Sequence, residues 1–147
     1  MAIALDFGIL LGLAFQSFCD ELRADLERRG FTDLGKSYGV VFRALADEAL
    51  QVNELAHYLG ITAQGACKII DEMEERGYVE RVPDPRDGRA KRLELSPRGK
   101  SVLTHARRFH AAYERQLRAK LGPRVAKDVR AALEGMLSAG SARLRAL

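Results

Sequence analysis

One basic stretch decides the fold of the chain: DPRDGRAKRLELSPRG, residues 84–99. Asp-Gly pairs favour tight turns between strands, and glycine tolerates backbone angles that other residues avoid. Asp87-Gly88 is therefore predicted as the tip of a β-hairpin. Downstream, Leu93 and Leu95 alternate with charged residues, which is typical of a strand with one buried face. The stretch predicts a basic hairpin that is followed directly by the start of a helix.

Basic residues are concentrated on this hairpin and on the helix after it. The 147-residue chain has a net charge of +4 and a pI of about 9.3. From Arg81 to Arg108, nine Lys or Arg stand against three Asp or Glu. Such a focused excess suits the phosphate backbone of a nucleic acid. A solvated charged surface is the alternative interpretation.

The remaining elements are helical. Apolar residues recur at spacings of three and four, and glycine or proline interrupts the pattern between runs. Helices are predicted over 3–29, 37–47, 51–59, 62–76, 96–121 and 124–144, with strands over 78–82 and 92–95. The predicted fold class is therefore mainly α with a small β-hairpin wing.

The composition argues against several functional classes. Cys19 and Cys67 are too few and too far apart for a disulfide framework or a zinc site, and a reducing cytoplasm is the expected compartment. The sequence has no nucleophile elbow, phosphate loop or Cys/His ligand spacing, so no enzyme activity, cofactor or metal is predicted. The apolar run 7–15 follows no Lys or Arg and is too short to cross a bilayer, so neither export nor membrane anchoring is expected.

Two helices joined by a glycine-containing turn span 51–76 and form a candidate helix-turn-helix. In such a motif the first turn of the second helix enters the major groove of DNA. Of its outward residues, Gln64 can pair with an adenine edge, Thr62 can bond a base or a phosphate, and Lys68 suits a phosphate. The basic hairpin that follows makes this pair a winged helix.

Small residues near the start of the second helix allow a close approach to DNA. They are Ala63 and Gly65. Glycine in a helix costs about 1 kcal/mol relative to alanine, and contact with DNA is one reason to keep it there. A glycine that is neutral because tertiary packing holds the helix is the alternative.

The hairpin supplies the second group of candidate contacts. Arg89 sits where an arginine can reach into a narrow minor groove. Asp87 has the wrong charge for a DNA contact and is predicted to orient Arg89 or Arg86 and to fix the turn. The other basic side chains are phosphate candidates. The predicted DNA-binding residues are Ser37, Thr62, Ala63, Gln64, Gly65, Lys68, Arg86, Asp87, Gly88, Arg89, Lys91 and Arg92.

These motifs resemble the MarR family of bacterial transcription regulators (multiple antibiotic resistance regulator). The family's wing reads Asp-x-Arg-Asp-x-Arg followed by Leu-x-Leu-Thr-x-x-Gly, and residues 84–99 match it with Ser96 in place of Thr. Upstream, ELA at 54–56, LGIT at 59–62 and IDEMEERGYV at 70–79 fit the family's helix-turn-helix. The resemblance follows the helix order of the whole chain and is most specific around these motifs.

The resemblance implies a homodimer that binds double-stranded DNA. The dimerisation region would comprise 1–34 and 97–147, and the winged lobe 35–96, with two lobes on a pseudo-palindromic operator. It also implies repression that a small phenolic or lipophilic ligand, or oxidation, relieves. The second helix of the helix-turn-helix, the recognition helix, differs in sequence from the family pattern: AQGACK at 63–68 stands where SQSTVSR is commoner. The operator sequence of other family members therefore cannot be transferred to this chain.

Ligand pockets of the family lie between the dimerisation region and the winged lobe. Aromatic side chains at helical spacing are the candidates here, although an aromatic at such spacing is more often a core residue than a pocket residue. The predicted pocket residues are Phe15, Phe18, Tyr38, Phe42, Tyr58, Phe109 and Tyr113.

Cys19 is a candidate redox residue, because peroxide sensors of the family keep a reactive cysteine in the first helix. The local sequence Phe18-Cys19-Asp20 departs from their pattern, and an adjacent carboxylate raises the pKa of a thiol. A buried, inert cysteine is therefore the favoured interpretation of Cys19.

Two other functions compete with a ligand-responsive regulator. One is a redox-sensing regulator that uses Cys19, and the other is a winged-helix module whose wing binds a protein. Interface cores are depleted of Lys, which argues against the second. The salt dependence of binding distinguishes DNA from a protein partner, because binding to phosphates weakens steeply as the salt concentration rises.

Overall fold

The computed structural model describes residues 4–137, which form six helices and one two-stranded hairpin. The elements are α1 (Phe7–Arg28), α2 (Tyr38–Ala44), α3 (Val52–Leu59), α4 (Ala63–Glu75), β1 (Val79–Asp84), β2 (Asp87–Leu95), α5 (Pro97–Leu121) and α6 (Pro123–Gly135). The predicted class, mainly α with a small hairpin, is confirmed. In this described part, no helix is apolar over a length that could cross a membrane.

The chain divides between Thr32 and Asp33 into two compact units. The first unit contains α1, which ends as predicted at a glycine: Gly30 has a φ of 94°, a left-handed value that glycine adopts without strain. The Phe31 N–H donates to the Leu26 carbonyl across this end. The other helices and the hairpin belong to the second unit.

Local capping signals fix the helix pair α3–α4. Gln51 and Glu54 form a reciprocal capping box at the start of α3, and Gly60 ends it in the left-handed conformation with a φ of 68°. The Thr62 hydroxyl oxygen accepts a hydrogen bond from the Gly65 N–H and caps α4, as predicted. The apolar faces of the pair are buried in the core with Leu55, Leu59, Ala66, Ile70 and Met73.

The start of α2 differs from the prediction in one respect. Ser37 occupies the residue before the helix, but its side chain makes no capping hydrogen bond. Its backbone already has helical angles, φ −87° and ψ −2°, whereas a capping residue normally has an extended backbone.

The hairpin turns at Pro85-Arg86, so the predicted tip at Asp87-Gly88 is wrong. Asp84 pairs with Asp87 across the turn, and Gly88 lies in β2 without a positive φ. Asp and Pro are favoured at the first two positions of a type I turn, and the Asp84 carboxylate accepts from the Arg86 N–H at 2.9 Å. The register shifts at this point and leaves residues 88–90 outside the pairing.

The start of α5 is docked on the base of the hairpin. Ser96 caps the helix by accepting from the Gly99 N–H at 3.0 Å, and its hydroxyl donates to the Gly77 carbonyl at 2.6 Å. The Ser96 N–H donates to the Tyr78 carbonyl at 3.0 Å. A Cβ on Gly99 would lie 2.2 Å from that same carbonyl oxygen, so only glycine fits here.

A glycine-proline break separates the last two helices. Gly122 has a φ of 86°, and Pro123 opens α6, as the sequence predicts. The helix ends at Gly135, short of the predicted end at 144. Residues 138–144 of that prediction lie outside the described part of the chain.

Candidate nucleic-acid interface

The first turn of α4 presents the predicted contact residues on an open surface. Thr62, Ala63, Gln64 and Lys68 are exposed and Gly65 is half-buried. The opposite face of the helix is buried, because its apolar residues pack into the core. The helix therefore offers one polar face of small and hydrogen-bonding side chains next to the hairpin in sequence.

Gly65 has a structural role that neither sequence interpretation contains. Its N–H donates to the Thr62 hydroxyl oxygen at 3.0 Å. A Cβ on Gly65 would lie 3.2 Å from the same oxygen, which is tighter than usual for such a contact. Glycine at this position thus leaves room for the capping hydroxyl of Thr62, and it also adds no side chain to the helix surface.

Asp84 braces the turn of the hairpin from inside. Its side chain is only 1% exposed, and it accepts hydrogen bonds from the Gln51 Nε2 at 2.8 Å and from the Arg86 N–H. The Arg86 Nε lies 3.4 Å from the same carboxylate. These bonds, the one from Gln51 first, lower the pKa of Asp84 from 3.8 to about 2. Asp84 is the first residue of the wing motif in the sequence, and no role was predicted for it.

Asp84→Asn is expected to destabilise the protein at neutral pH and to remove part of its acid sensitivity. In asparagine an NH2 group replaces one of the two carboxylate oxygens, and this group cannot accept a hydrogen bond. One of the hydrogen bonds that Gln51 and Arg86 donate to residue 84 is therefore lost. Because the folded chain holds the Asp84 proton less tightly than the unfolded chain, this stabilisation is present above pH 3.8 and is lost as the pH falls towards about 2.

Urea denaturation of both proteins at pH 7 and pH 2.5 measures this effect. The stability difference between wild type and Asp84→Asn is expected to shrink on acidification. Glu80→Gln, which changes an exposed carboxylate on the same strand, serves as the control. An equal difference at both pH values would contradict the assignment.

Arg86 is held by carboxylates rather than directed freely outward. Besides its contacts with Asp84, its Nη2 lies 3.9 Å from Glu54. These neighbours raise the pKa of Arg86, Asp84 most strongly. The predicted phosphate contact therefore comes from a side chain that also stiffens the turn.

Two predicted wing residues point to solvent at the irregular part of β2. Arg89 and Lys91 are exposed. The Asp87 carboxylate accepts from the Arg89 N–H at 3.0 Å, so Asp87 fixes the backbone that carries Arg89. Arg92 is half-buried, and its Nη2 lies 3.7 Å from Glu94, which makes it the least exposed of the four basic hairpin residues predicted to contact DNA.

A salt bridge that the sequence analysis missed ties the base of the hairpin to α4. The Arg81 guanidinium donates to Asp71 at 2.6 Å and to Glu74 at 2.8 Å. The hydrogen bond to Asp71 is the main reason that the pKa of Arg81 is raised. Glu74 and Asp71 lie seven and ten positions before Arg81, in another element, so no local sequence pattern predicts these contacts.

A second cluster joins the start of α5 to the segment before α2. The Arg98 guanidinium lies 4.3 Å from the centre of the Tyr78 ring and 3.2 Å from Asp33. The Tyr78 hydroxyl donates to the Asp33 carboxylate. Burial, with this hydrogen bond, raises the pKa of Tyr78 to about 12. The cluster stiffens the hairpin base and was not predicted.

The predicted pocket residues lie in different places. Tyr38 and Phe42 are buried in the lobe, where their rings meet the Tyr78 ring edge-on at centroid distances of 6.0 and 5.7 Å. Phe109 and Tyr113 are half-buried neighbours on α5, with centroids 6.1 Å apart. Three further candidates lie elsewhere: Tyr58 is half-buried on α3, and on α1 Phe15 is exposed and Phe18 half-buried.

The environment of Cys19 does not activate its thiol. Burial raises the pKa of Cys19, and the neighbouring Asp20 raises it further. Cys67 is half-buried in α4. Within residues 4–137, no group of three or more His, Cys, Asp or Glu side chains could hold a metal ion.

Sequence comparison identifies relatives among transcription regulators. A profile described as the MarR family matches residues 32–90. The exopolysaccharide II synthesis transcriptional activator ExpG of Rhizobium meliloti is 31% identical over 107 residues, which cover 71% of this chain and 54% of ExpG. The transcriptional repressor MprA of Escherichia coli is 31% identical over 64 residues, 44% of this chain and 36% of MprA. The chain thus spans about half of ExpG and about a third of MprA.

Solved structures share the fold at low sequence identity. The reduced form of MarR from E. coli superposes with a TM-score of 0.71 over 93% of this chain and all of that chain, at 18% identity. A MepR mutant from S. aureus bound to an oligodeoxyribonucleotide superposes with a TM-score of 0.59 over 90% of this chain and 96% of that chain, also at 18% identity.

The relatives are named as regulators and not as enzymes, in agreement with the sequence analysis. The family profile covers residues 32–90, which contain α2, α3, α4, β1 and the first residues of β2, and the solved structures share the fold. The chain belongs to the MarR family of winged helix-turn-helix transcriptional regulators.

Proposed function

We propose that the chain is a cytoplasmic regulator of transcription that binds DNA sequence-specifically as a homodimer on a pseudo-palindromic operator. The observation that carries this proposal is the exposed polar face at the start of α4, followed by an exposed basic hairpin. One relative is named as a transcriptional activator and another as a transcriptional repressor, and one structural neighbour was solved bound to an oligodeoxyribonucleotide.

In the proposed complex each part of the lobe has a separate task. The first turn of α4 enters the major groove, where Gln64 reads base edges and Lys68 meets phosphate. The hairpin extends along the duplex, where Arg89 enters the minor groove and Lys91 meets phosphate. The bracing of the turn by Asp84 supports this proposal, because a pre-ordered arm loses less entropy on binding.

Exposed apolar side chains support the proposed dimer. In the described residues they are concentrated on α1, with Phe7 65% and Phe15 56% exposed, and on α6, with Leu133 47% exposed. Large exposed apolar patches are typical of interaction sites. Two lobes joined in this way bind half-sites about 34–36 Å apart, one turn of DNA.

We propose repression where the operator overlaps a promoter, and relief by a small phenolic or lipophilic ligand. The half-buried aromatics Tyr58, Phe109 and Tyr113 are better placed for such a ligand than Tyr38 and Phe42, which are core residues of the lobe. Saturation of the protein with salicylate, followed by DNA titration, tests this part separately.

Fluorescence anisotropy with a labelled duplex from the chain's own upstream region tests DNA binding. We expect tight binding that survives unrelated competitor duplex and weakens steeply with salt, because each phosphate contact releases about one counterion. Preference for that duplex supports sequence recognition. Binding that neither prefers it nor responds to salt would favour the winged-helix module with a protein partner.

A further inference from the structure

Arg81 holds two carboxylates of the recognition helix. Its Nη2 lies 2.6 Å from the Asp71 carboxylate and its Nη1 lies 2.8 Å from the Glu74 carboxylate. The Arg81 side chain is 28% exposed on β1, whereas Asp71 is 67% exposed on α4. One guanidinium therefore joins the hairpin to the helix and balances two negative charges on an open surface.

In the proposed complex, Asp71 lies on the face of α4 that Gln64 presents to the duplex. Residues four and seven positions apart share one face of a helix, so Gln64, Lys68 and Asp71 lie on the same face of α4. Asp71 is seven residues beyond Gln64, about 10 Å along the axis. The major groove is about 12 Å wide, so with Gln64 at the bases Asp71 approaches the phosphates of the groove wall.

A carboxylate beside phosphate opposes DNA binding unless a cation balances it. We propose that Arg81 is a positioning residue for DNA binding, which pairs with Asp71 and Glu74 so that these two carboxylates of the recognition helix present no uncompensated negative charge to the duplex. The inference rests on the proposed DNA-binding function and assigns to Arg81 a role that needs no contact with DNA. Exposed ion pairs contribute little to folding stability, so the effect belongs to binding.

A rescue experiment separates charge compensation from mechanical support. Arg81→Gln leaves both carboxylates unbalanced, and its affinity for the upstream duplex is expected to fall about tenfold. Neutralising the carboxylates as well, in Arg81→Gln/Asp71→Asn/Glu74→Gln, is expected to restore affinity to within about threefold of wild type. Asp71→Asn/Glu74→Gln alone releases Arg81 and is expected to bind more tightly, with a steeper salt dependence.

Two controls accompany these variants. Lys120→Gln removes one positive charge near the far end of α5, about 35 Å from Pro97, and is expected to bind within about threefold of wild type. Arg81→Lys keeps the positive charge and is also expected to bind within about threefold of wild type. If thermal melting shows that Arg81→Gln does not fold, Arg81→Lys still tests the inference.

The outcomes are distinct. Binding by the triple variant as weak as that of Arg81→Gln would show that Arg81 is a mechanical strut and would overturn the inference while leaving the proposed function intact. If the wild-type protein bound neither its upstream duplex nor any other DNA, both the proposed function and the inference about Arg81 would be overturned.

Discussion

Gly99→Ala is expected to destabilise the protein by about 3 kcal/mol, at the upper end of the effects of overpacking. The added Cβ would lie 2.2 Å from the Tyr78 carbonyl oxygen, which already accepts a hydrogen bond from the Ser96 N–H. Both sides of this contact are backbone, so no side chain can rotate away. Relief requires the start of α5 to move off the hairpin base, and this breaks the bonds that Ser96 makes.

Urea denaturation at pH 7 measures the change in unfolding free energy. Gly39→Ala is the matched control, because Gly39 is an exposed helical glycine on α2 with nothing within 4 Å of an added Cβ. It is expected to stabilise the protein by up to about 1 kcal/mol through reduced entropy of the unfolded chain. Equal stability of Gly99→Ala and wild type would contradict the close approach.

Arg89→Ala is expected to weaken DNA binding by roughly 10- to 100-fold on specific and unrelated duplexes alike, because a wing arginine in the minor groove contributes about 1–3 kcal/mol. Gln64→Ala is expected to change base preference more than overall affinity, since its amide reads base edges in the major groove. Neither change touches the buried core, because both side chains are exposed.

Anisotropy titrations against a panel of operator variants measure both effects. The ratio of specific to unrelated affinity is expected to stay near that of wild type for Arg89→Ala and to fall for Gln64→Ala. The salt dependence is expected to become shallower only for Arg89→Ala, which removes a cation. Equal losses on every sequence for both variants would contradict this division of labour.

The helices were predictable because their signals are local. The periodic apolar residues and the caps at Thr62, Ser96 and Gly122 act within one turn of the helix, and each lies where the sequence places it. The turn of the hairpin was not predictable in the same way. Two turn-forming pairs, Asp84-Pro85 and Asp87-Gly88, lie three residues apart, and the hydrogen bond from Gln51 to Asp84 favours the first from 33 positions away.

The candidate site was predictable only as far as periodicity reaches. Helical spacing places Gln64 and Lys68 on the exposed face of α4, as the structure shows. It does not reveal that Arg81 crosses from the hairpin to Asp71, because that contact depends on how two elements pack. Spacing also does not tell a core aromatic such as Tyr38 from a surface one.

The backbone joint between Ser96, Gly99 and Tyr78 makes α5 a lever for the wing. The helix has 25 residues and is about 37 Å long. A tilt of about 5° around its far end carries the near end, with the hairpin base fixed to it, through about 3 Å. That distance is close to the 3.4 Å or so between successive bases of one strand. Because the backbone contacts between Ser96, Gly99 and Tyr78 are so close, such a tilt of α5 would move the base of the wing with it, by about one base step.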